Sequence, residues 1–173
     1  RALLYCPPNN LENLGFGRLD HGMKLLSKRI LVQGDCRDLV PGYLRFLHGL
    51  VDSEDLPLNV SRETLQDSTL IRKIRGIVVK AVLEHLRKLA DEDPTVFEQF
   101  INQFGPILKE AIHEDFPNRE MVARLLRFDS SRAERAGEKV SFDQYLARAV
   151  PEQKAIYYLG GVDLSAVRHN PNL

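Results

Sequence analysis

The stretch VDSEDLPLNVSRETLQD, residues Val51 to Asp67, decides how the rest of the chain is organised. It opens with acidic and turn-forming residues, which are Asp52, Glu54, Asp55 and Pro57. A polar loop, Asn59 to Arg62, follows and runs into the longest helical pattern in the sequence. Because a long helix is a rigid element, we expect this arrangement to hold one arginine, Arg62, just outside its N-terminus.

Arg62 lies where the unpaired N–H groups of a helix start favour anions. A guanidinium beside those donors is suited to a phosphate or carboxylate that arrives from outside. The residues alone leave a second interpretation open, in which Arg62 is a solvated surface charge paired with Glu63 or Asp67. On physical grounds Arg62 is therefore a candidate anion-binding residue.

The same stretch resembles the signature of a known family. GLVDSEDLPLNVSRETLQDS, at residues 49–68, is similar to the middle domain of the heat-shock protein 90 (Hsp90) chaperones in their bacterial HtpG form. The similarity continues in order through RALLYCP (1–7), LVPGYLRFLHG (39–49), HEDFPNRE (113–120), ARLLRFDSS (123–131) and IYYLGG (156–161). A collinear match of this length is more specific than a lone short motif.

The resemblance implies a middle-domain fragment of an ATP-dependent chaperone that binds unfolded or partly folded client proteins. In such proteins a separate N-terminal domain holds ATP and Mg²⁺, and a C-terminal domain forms the homodimer. We therefore expect ATPase activity in the full-length protein and none in the fragment alone, which would bind no cofactor. The resemblance also implies a stress-response role and an Hsp70-type chaperone system as a further partner.

The resemblance also assigns roles to residues of the loop. Arg62 matches the catalytic-loop arginine that reaches the ATP γ-phosphate in the closed state, and Asn59 and Gln66 match flanking polar positions that help order the active site. Phosphoryl transfer accumulates negative charge on the γ-phosphoryl oxygens, which an arginine delivered by a moving element stabilises. The predicted catalytic residues are therefore Arg62, Asn59 and Gln66, with Arg62 also the ATP-binding residue and with no metal ligand.

Composition limits the other functions. The 173 residues carry 24 basic and 24 acidic side chains, so no net charge favours nucleic acid or an anionic membrane as a partner. Cys6 and Cys36 lack a metal-ligand or redox spacing and are predicted to be buried free thiols of a reducing compartment, which indicates the cytoplasm. Charges interrupt every apolar run before it could span a membrane.

Periodicity predicts an α/β fold with a boundary near residue 91. The resemblance implies a layered α/β/α sandwich over residues 1–90 and a helical connection leading to a smaller α/β/α unit over residues 91–173. Predicted strands cover residues 2–5, which we expect to be buried, 24–33 and 154–159. Predicted helices cover residues 39–50, 68–89, 97–104, 107–112, 119–126, 141–146 and 164–168, with a break at Gly105-Pro106. Asp38, Asp67 or Ser68, Asn118 and Ser141 are the candidate caps.

Two rival functions remain from the residues alone. In the main rival the chain is a protein–protein binding module without a catalytic role, and Arg62 is a surface charge. A stand-alone enzyme is disfavoured because no Walker A loop, dinucleotide fingerprint or Gly-x-Ser-x-Gly motif is present.

The segments 6–22 and 25–28 depart from the family pattern, so client contacts of that region are not carried over.

Overall fold

The fold, seen in a computed structural model, is described for residues 1–15, 22–56, 69–133, 137–161 and 167. Its strands are β1 (Ala2–Tyr5), β2 (Met23–Ser27), β3 (Ile30–Cys36), β4 (His48–Asp52), β5 (Phe128–Asp129) and β6 (Lys139–Val140). Its helices are α1 (Thr69–Glu92), α2 (Pro94–Lys109), α3 (Ala111–Glu114), α4 (Arg119–Leu125) and α5 (Phe142–Ala147). Short 3₁₀ turns lie at Leu11–Leu14, Arg37–Leu39, Gly42–Leu44 and Phe116–Asn118. The predicted mixed α/β class is confirmed.

Strands β1, β4, β2 and β3 form one mixed sheet in that order. β4 pairs antiparallel with β1 and parallel with β2, and β2 pairs antiparallel with β3. Strand β1 has the predicted bounds, but it lies at the sheet edge among the described strands, and its Leu3 and Tyr5 are 67% and 60% exposed. The prediction that this strand is buried was therefore wrong, because edge position leaves alternate side chains without a covering layer.

The single strand predicted over residues 24–33 is a hairpin of β2 and β3. Lys28 and Arg29 form its turn, with φ angles of 48° and 68°. Two-residue hairpin turns with positive φ usually carry Asn or Gly, and neither residue is present here to mark the turn. The continuous run of apolar residues therefore concealed the reversal.

The helix predicted over residues 39–50 was wrong. Two 3₁₀ turns and strand β4 occupy this part of the chain, and His48 lies on β4, where its ring stacks on Tyr5 with centroids 5.6 Å apart. Asp38 lies inside the first 3₁₀ turn, and Cys36 occupies its N-cap position. Short turns can also direct Leu39, Tyr43 and Leu44 into the core, where all three are fully buried.

The long helix α1 confirms the strongest periodic signal in the sequence. It runs for 24 residues, about 36 Å. Its buried positions are Ile71, Val78, Val79, Leu83 and Leu86. The helix ends at Glu92, and the Asp93 side chain accepts a hydrogen bond from the N–H of Val96 to start α2.

Helix α2 continues through Gly105-Pro106, so the predicted break was wrong. Pro106 is exposed, and Phe104, Ile107 and Leu108 on either side of it are buried. Burial of this apolar face compensates for the hydrogen bond that a proline inside a helix removes. Buried side chains of α1 and α2 join those of the sheet in one hydrophobic cluster. The division of the chain near residue 91 stays a prediction.

The later elements confirm some caps and correct one strand. Ser141 and Gln144 form a capping box at α5, as predicted for the cap, whereas Asn118 precedes α4 without a side-chain capping bond. Residues 154–159 form no strand in the described part of the chain. Tyr157 and Tyr158 there are 75% and 92% exposed, because β propensity without a neighbouring strand does not make a ladder. Except for Val167, the helix predicted at 164–168 lies outside the described residues.

The two cysteines differ in their surroundings. Cys36 is buried as predicted, whereas Cys6 is exposed beyond the edge strand, so that part of the prediction was wrong. Both thiols are free. No helix of the described residues is long and apolar enough to cross a membrane.

Candidate functional site

The candidate site is the segment between β4 and α1, which the sequence predicts to be a loop. Its predicted residues Arg62, Asn59 and Gln66, and the predicted caps Asp67 and Ser68, lie outside the described residues. Their roles therefore stay predictions. The structure does describe the residues on which the loop begins and ends.

The first end of the loop is fixed by strand β2. The Ser27 hydroxyl, fully buried, donates a hydrogen bond of 2.5 Å to the carbonyl oxygen of Leu56. The Ser53 N–H donates to the carbonyl oxygen of Leu26 at 3.0 Å. Leu56 is itself only 3% exposed. The chain therefore leaves the sheet from a buried, hydrogen-bonded position.

The second end of the loop is fixed by the first turns of α1. Ile71 is 2% exposed and belongs to the main core cluster, so the helix start is packed rather than free. The first turn contains no acidic residue, and Arg72, Lys73 and Arg75 are exposed. Cations next to a helix N-terminus repel its positive end but add to its attraction for an incoming anion.

A concave surface of about 800 Å³ lies between these two ends. Its apolar part includes Val51, Ile74 and Val78, from β4 and α1. Charged side chains of both signs line the remainder, and these are Arg1, Lys28, Arg29, Asp52, Glu54, Asp55 and Lys73. The hairpin turn is held against β4 because the Arg29 N–H donates to Asp52 Oδ1 at 3.2 Å.

A buried ion network next to β4 was not foreseen from the sequence. Arg45 is 7% exposed, and its guanidinium donates to both carboxylate oxygens of Glu12 and of Glu110, at distances from 2.6 to 3.1 Å. The hydrogen bonds to Glu110 and then Glu12 raise the pKa of Arg45 above its ordinary value. The network joins the chain just before β4 to the end of α2.

A second polar link lies beside it. The Tyr43 hydroxyl donates to Asp115 Oδ2 at 2.5 Å, and burial, followed by this carboxylate, raises the pKa of Tyr43. Asp115 also accepts from the Asn118 side chain. The described residues contain no group of three or more His, Cys, Asp or Glu side chains that could hold a metal ion.

Sequence carried one usable signal for these links. Tyr43 and Arg45 both lie in the LVPGYLRFLHG segment. A tyrosine hydroxyl or an arginine guanidinium inside an otherwise apolar segment needs a buried hydrogen-bonding partner. Their partners are 72 and 65 residues away in sequence, so they could not be identified from the segment itself.

Comparison with known proteins covers the whole chain. A family model described as "Hsp90 protein" matches residues 1–173. The chaperone protein HtpG of Alkalilimnicola ehrlichii is 45% identical over 172 residues, 99% of this chain and 26% of the relative. A TNF receptor-associated protein 1 homolog, mitochondrial, from Dictyostelium discoideum is 41% identical over 177 residues, 99% of this chain and 25% of the relative. The chain spans about a quarter of the length of these relatives.

A solved structure is also similar. The middle domain of a putative heat shock protein from Plasmodium falciparum superposes with a TM-score of 0.82 at 26% identity. The superposition covers 98% of this chain and 65% of that one. The similarity therefore includes the sheet, the long helix and the helices that follow it.

Proposed function

This chain belongs to the Hsp90 family and corresponds to the middle domain of an HtpG-type chaperone, and from that premise we propose that it completes an ATPase site. In this proposal Arg62 reaches the γ-phosphate of ATP, which a separate N-terminal domain holds with Mg²⁺. Asn59 and Gln66 order the loop around the arginine. The observation that carries the proposal is the family match, whose range, residues 1–173, includes the loop.

The described residues fit an anionic group beside the loop. The first turn of α1 has no acidic side chain, and Arg72 and Lys73 are exposed next to it. Both ends of the loop are buried, at Leu56 and Ile71, so the loop has fixed starting and finishing points. Fixed loop ends would let Arg62 reach the same place in each catalytic cycle.

The chemistry explains why such an arginine couples hydrolysis to domain closure. A guanidinium stabilises the charge that develops on the γ-phosphoryl oxygens, and it does so only when the two domains are docked. ATP hydrolysis then follows a conformational change rather than simple nucleotide binding. The 173-residue chain alone would therefore hydrolyse no ATP.

The proposal extends to partners and location. The chain would contact unfolded or partly folded client proteins and its own N-terminal ATPase domain, in the cytoplasm, within a homodimer formed by a C-terminal domain. An Hsp70-type chaperone system is a further proposed partner. These are functions of the longer protein.

Refolding of a heat-denatured reporter enzyme by the longer protein tests this function. We expect ATP to increase the refolded yield, and we expect Arg62→Ala to remove that increase while Arg87→Ala, an exposed substitution near the other end of α1, retains it. Reporter bound without ATP should be the same for all three proteins. If Arg62→Ala supports full ATP-dependent refolding, the chain is a binding module without a catalytic role, and the proposal is wrong.

A further inference from the structure

A second concave surface lies far along the chain from the loop, beside the helices that follow α2. We name it the Phe116 groove; it has a volume of about 750 Å³, and Lys109, Phe116, Arg119, Leu126, Phe128 and Phe142 line it. Its residues come from α2, α3, the 3₁₀ turn at Phe116–Asn118, α4 and the residue after it, β5 and α5. Within the described part of the chain, none of these residues contributes to the loop ends described above.

The groove presents aromatic surface to solvent. Phe116 is 78% exposed, although burial of a phenylalanine side chain is favourable by about 2 kcal/mol. Phe128 and Phe142 lie in contact with each other, with ring centroids 4.7 Å apart, and both are only partly buried. Clustered aromatic side chains exposed beside a cavity are typical of protein–protein interaction sites.

Of the Lys, Arg, Asp and Glu side chains that line this surface, two are cations, Lys109 and Arg119, and one is the carboxylate Glu120. Lys109 Nζ lies 4.8 Å from the centroid of the Phe128 ring, and the Arg119 guanidinium carbon lies 5.5 Å from that of Phe116. Neither cation forms an ion pair with another described residue, whereas Glu120 in the same groove is paired with Arg124 at 3.1 Å. The pKa of Lys109 is lowered, mainly by desolvation and to a smaller extent by the nearby Lys139. Asp129 raises this pKa but offsets the lowering only in part.

We propose that the Phe116 groove binds an acidic, amphipathic segment of a partner protein. Aliphatic or aromatic side chains of the segment would pack on Phe116, Phe128 and Phe142. Its carboxylates would pair with Lys109 and Arg119, which have no such partner among the described residues. Recognition of a helical segment by an apolar groove with a charged rim is a common binding mode. The groove is separate from the Arg62 loop, so this proposal does not depend on the catalytic role of that loop.

Fluorescence anisotropy with the 173-residue chain tests the proposal. The probe is a labelled helical peptide of about 11 residues, three helical turns, with Leu and Phe on one face and Glu elsewhere. One control peptide has Lys in place of Glu, and another has Ser in place of Leu and Phe. The protein variants are Phe116→Ser and Lys109→Glu, with Val96→Ser and Arg87→Glu as matched exposed substitutions on other surfaces.

We expect the acidic peptide to bind at least tenfold more tightly than either control peptide. Phe116→Ser and Lys109→Glu should each weaken its binding about tenfold, which corresponds to about 1.4 kcal/mol. Val96→Ser and Arg87→Glu should leave its binding unchanged. Absence of binding, equal binding of the Glu and Lys peptides, or equal effects of the groove and control substitutions would each overturn the proposal. ATP is absent from this assay, so its failure would leave the proposed function untouched.

Discussion

The buried Ser27 hydroxyl donates a hydrogen bond of 2.5 Å to the carbonyl oxygen of Leu56, the last described residue before the Arg62 loop. The two residues are 29 positions apart, so the bond joins the end of β2 to the chain beyond β4. The parallel pairing of these strands places both residues at the same end of the sheet. Strand β2 therefore sets the point from which the loop begins.

Ser27→Ala should affect both stability and loop function. The substitution leaves the buried carbonyl oxygen of Leu56 without this donor, which costs about 2 kcal/mol of unfolding free energy. In the longer protein we expect slower ATP turnover with ATP affinity retained, because the loop loses its fixed starting point. Urea unfolding and steady-state turnover measure the two effects, with the exposed Ser131→Ala as control. Unchanged stability would show that the bond does not hold Leu56.

Arg45→Met should be among the most destabilising single substitutions in the chain. It leaves the carboxylates of Glu12 and Glu110 without their shared guanidinium, and loss of one partner from a buried ion pair costs about 3 kcal/mol. Arg124→Ala is the matched control, since its pair with Glu120 is exposed and contributes less than about 0.5 kcal/mol. Urea unfolding compares the two variants. Equal losses would contradict a special role for the buried network.

Tyr43→Phe should change how stability depends on pH. Burial and Asp115 raise the pKa of Tyr43 in the folded chain above its ordinary value of 10.0, so the folded state holds the proton more tightly than the unfolded state. This contribution is complete below pH 10 and is lost as pH rises from there toward the folded-state pKa. The variant should lose about 2 kcal/mol at neutral pH through its missing hydrogen bond.

Above about pH 10, unfolding free energy should fall less steeply for Tyr43→Phe than for the unsubstituted chain. Tyr158→Phe, at a residue that is 92% exposed, should reproduce the unsubstituted profile. Chemical denaturation at a series of pH values measures both slopes. Parallel profiles for all three proteins would mean that Tyr43 does not contribute to the alkaline loss.

Gly49→Ala should disrupt the pairing of β1 with β4. Gly49 has a φ of 137°, and a β-carbon there would lie 2.0 Å from the carbonyl oxygen of Leu3, a backbone atom that cannot rotate away. We expect a loss of about 2 kcal/mol or more. Gly34→Ala on β3 is the control, since no atom lies within 4 Å of its added β-carbon. Thermal unfolding followed by circular dichroism should show a lower midpoint for Gly49→Ala only.

The elements that were predicted best from the sequence are those whose determinants are local. The stripe of apolar residues in α1 recurs every three or four positions, and Ser141 begins a capping box with Gln144 three residues later. The elements that failed depend on distant partners. Residues 154–159 have strand composition but lack a neighbouring strand among the described residues, and the 39–50 segment fills the core through turns rather than a helix.

The residues of the candidate site also differ in whether their roles depend on local sequence or on distant partners. Arg62 was found through a contiguous motif, and its role stays a prediction because it lies outside the described residues. Ser27, which supports the loop, carries no local signal of that role, and the sequence around Arg45 indicates only that this arginine needs a buried partner. Their partners are reached only when the chain has folded, 29 and 65 positions away.

Single-turnover ATP hydrolysis by the longer protein with Arg62→Ala tests the central claim most directly. Arginine fingers in GTPases contribute roughly 10³ to 10⁵ in rate, and for a slow chaperone ATPase we expect a loss of about tenfold or more. ATP affinity, measured on the same protein, should be retained, and Arg87→Ala should match the unsubstituted protein in both hydrolysis rate and ATP affinity. A normal hydrolysis rate with Arg62→Ala would contradict the claim that this chain completes the ATPase site.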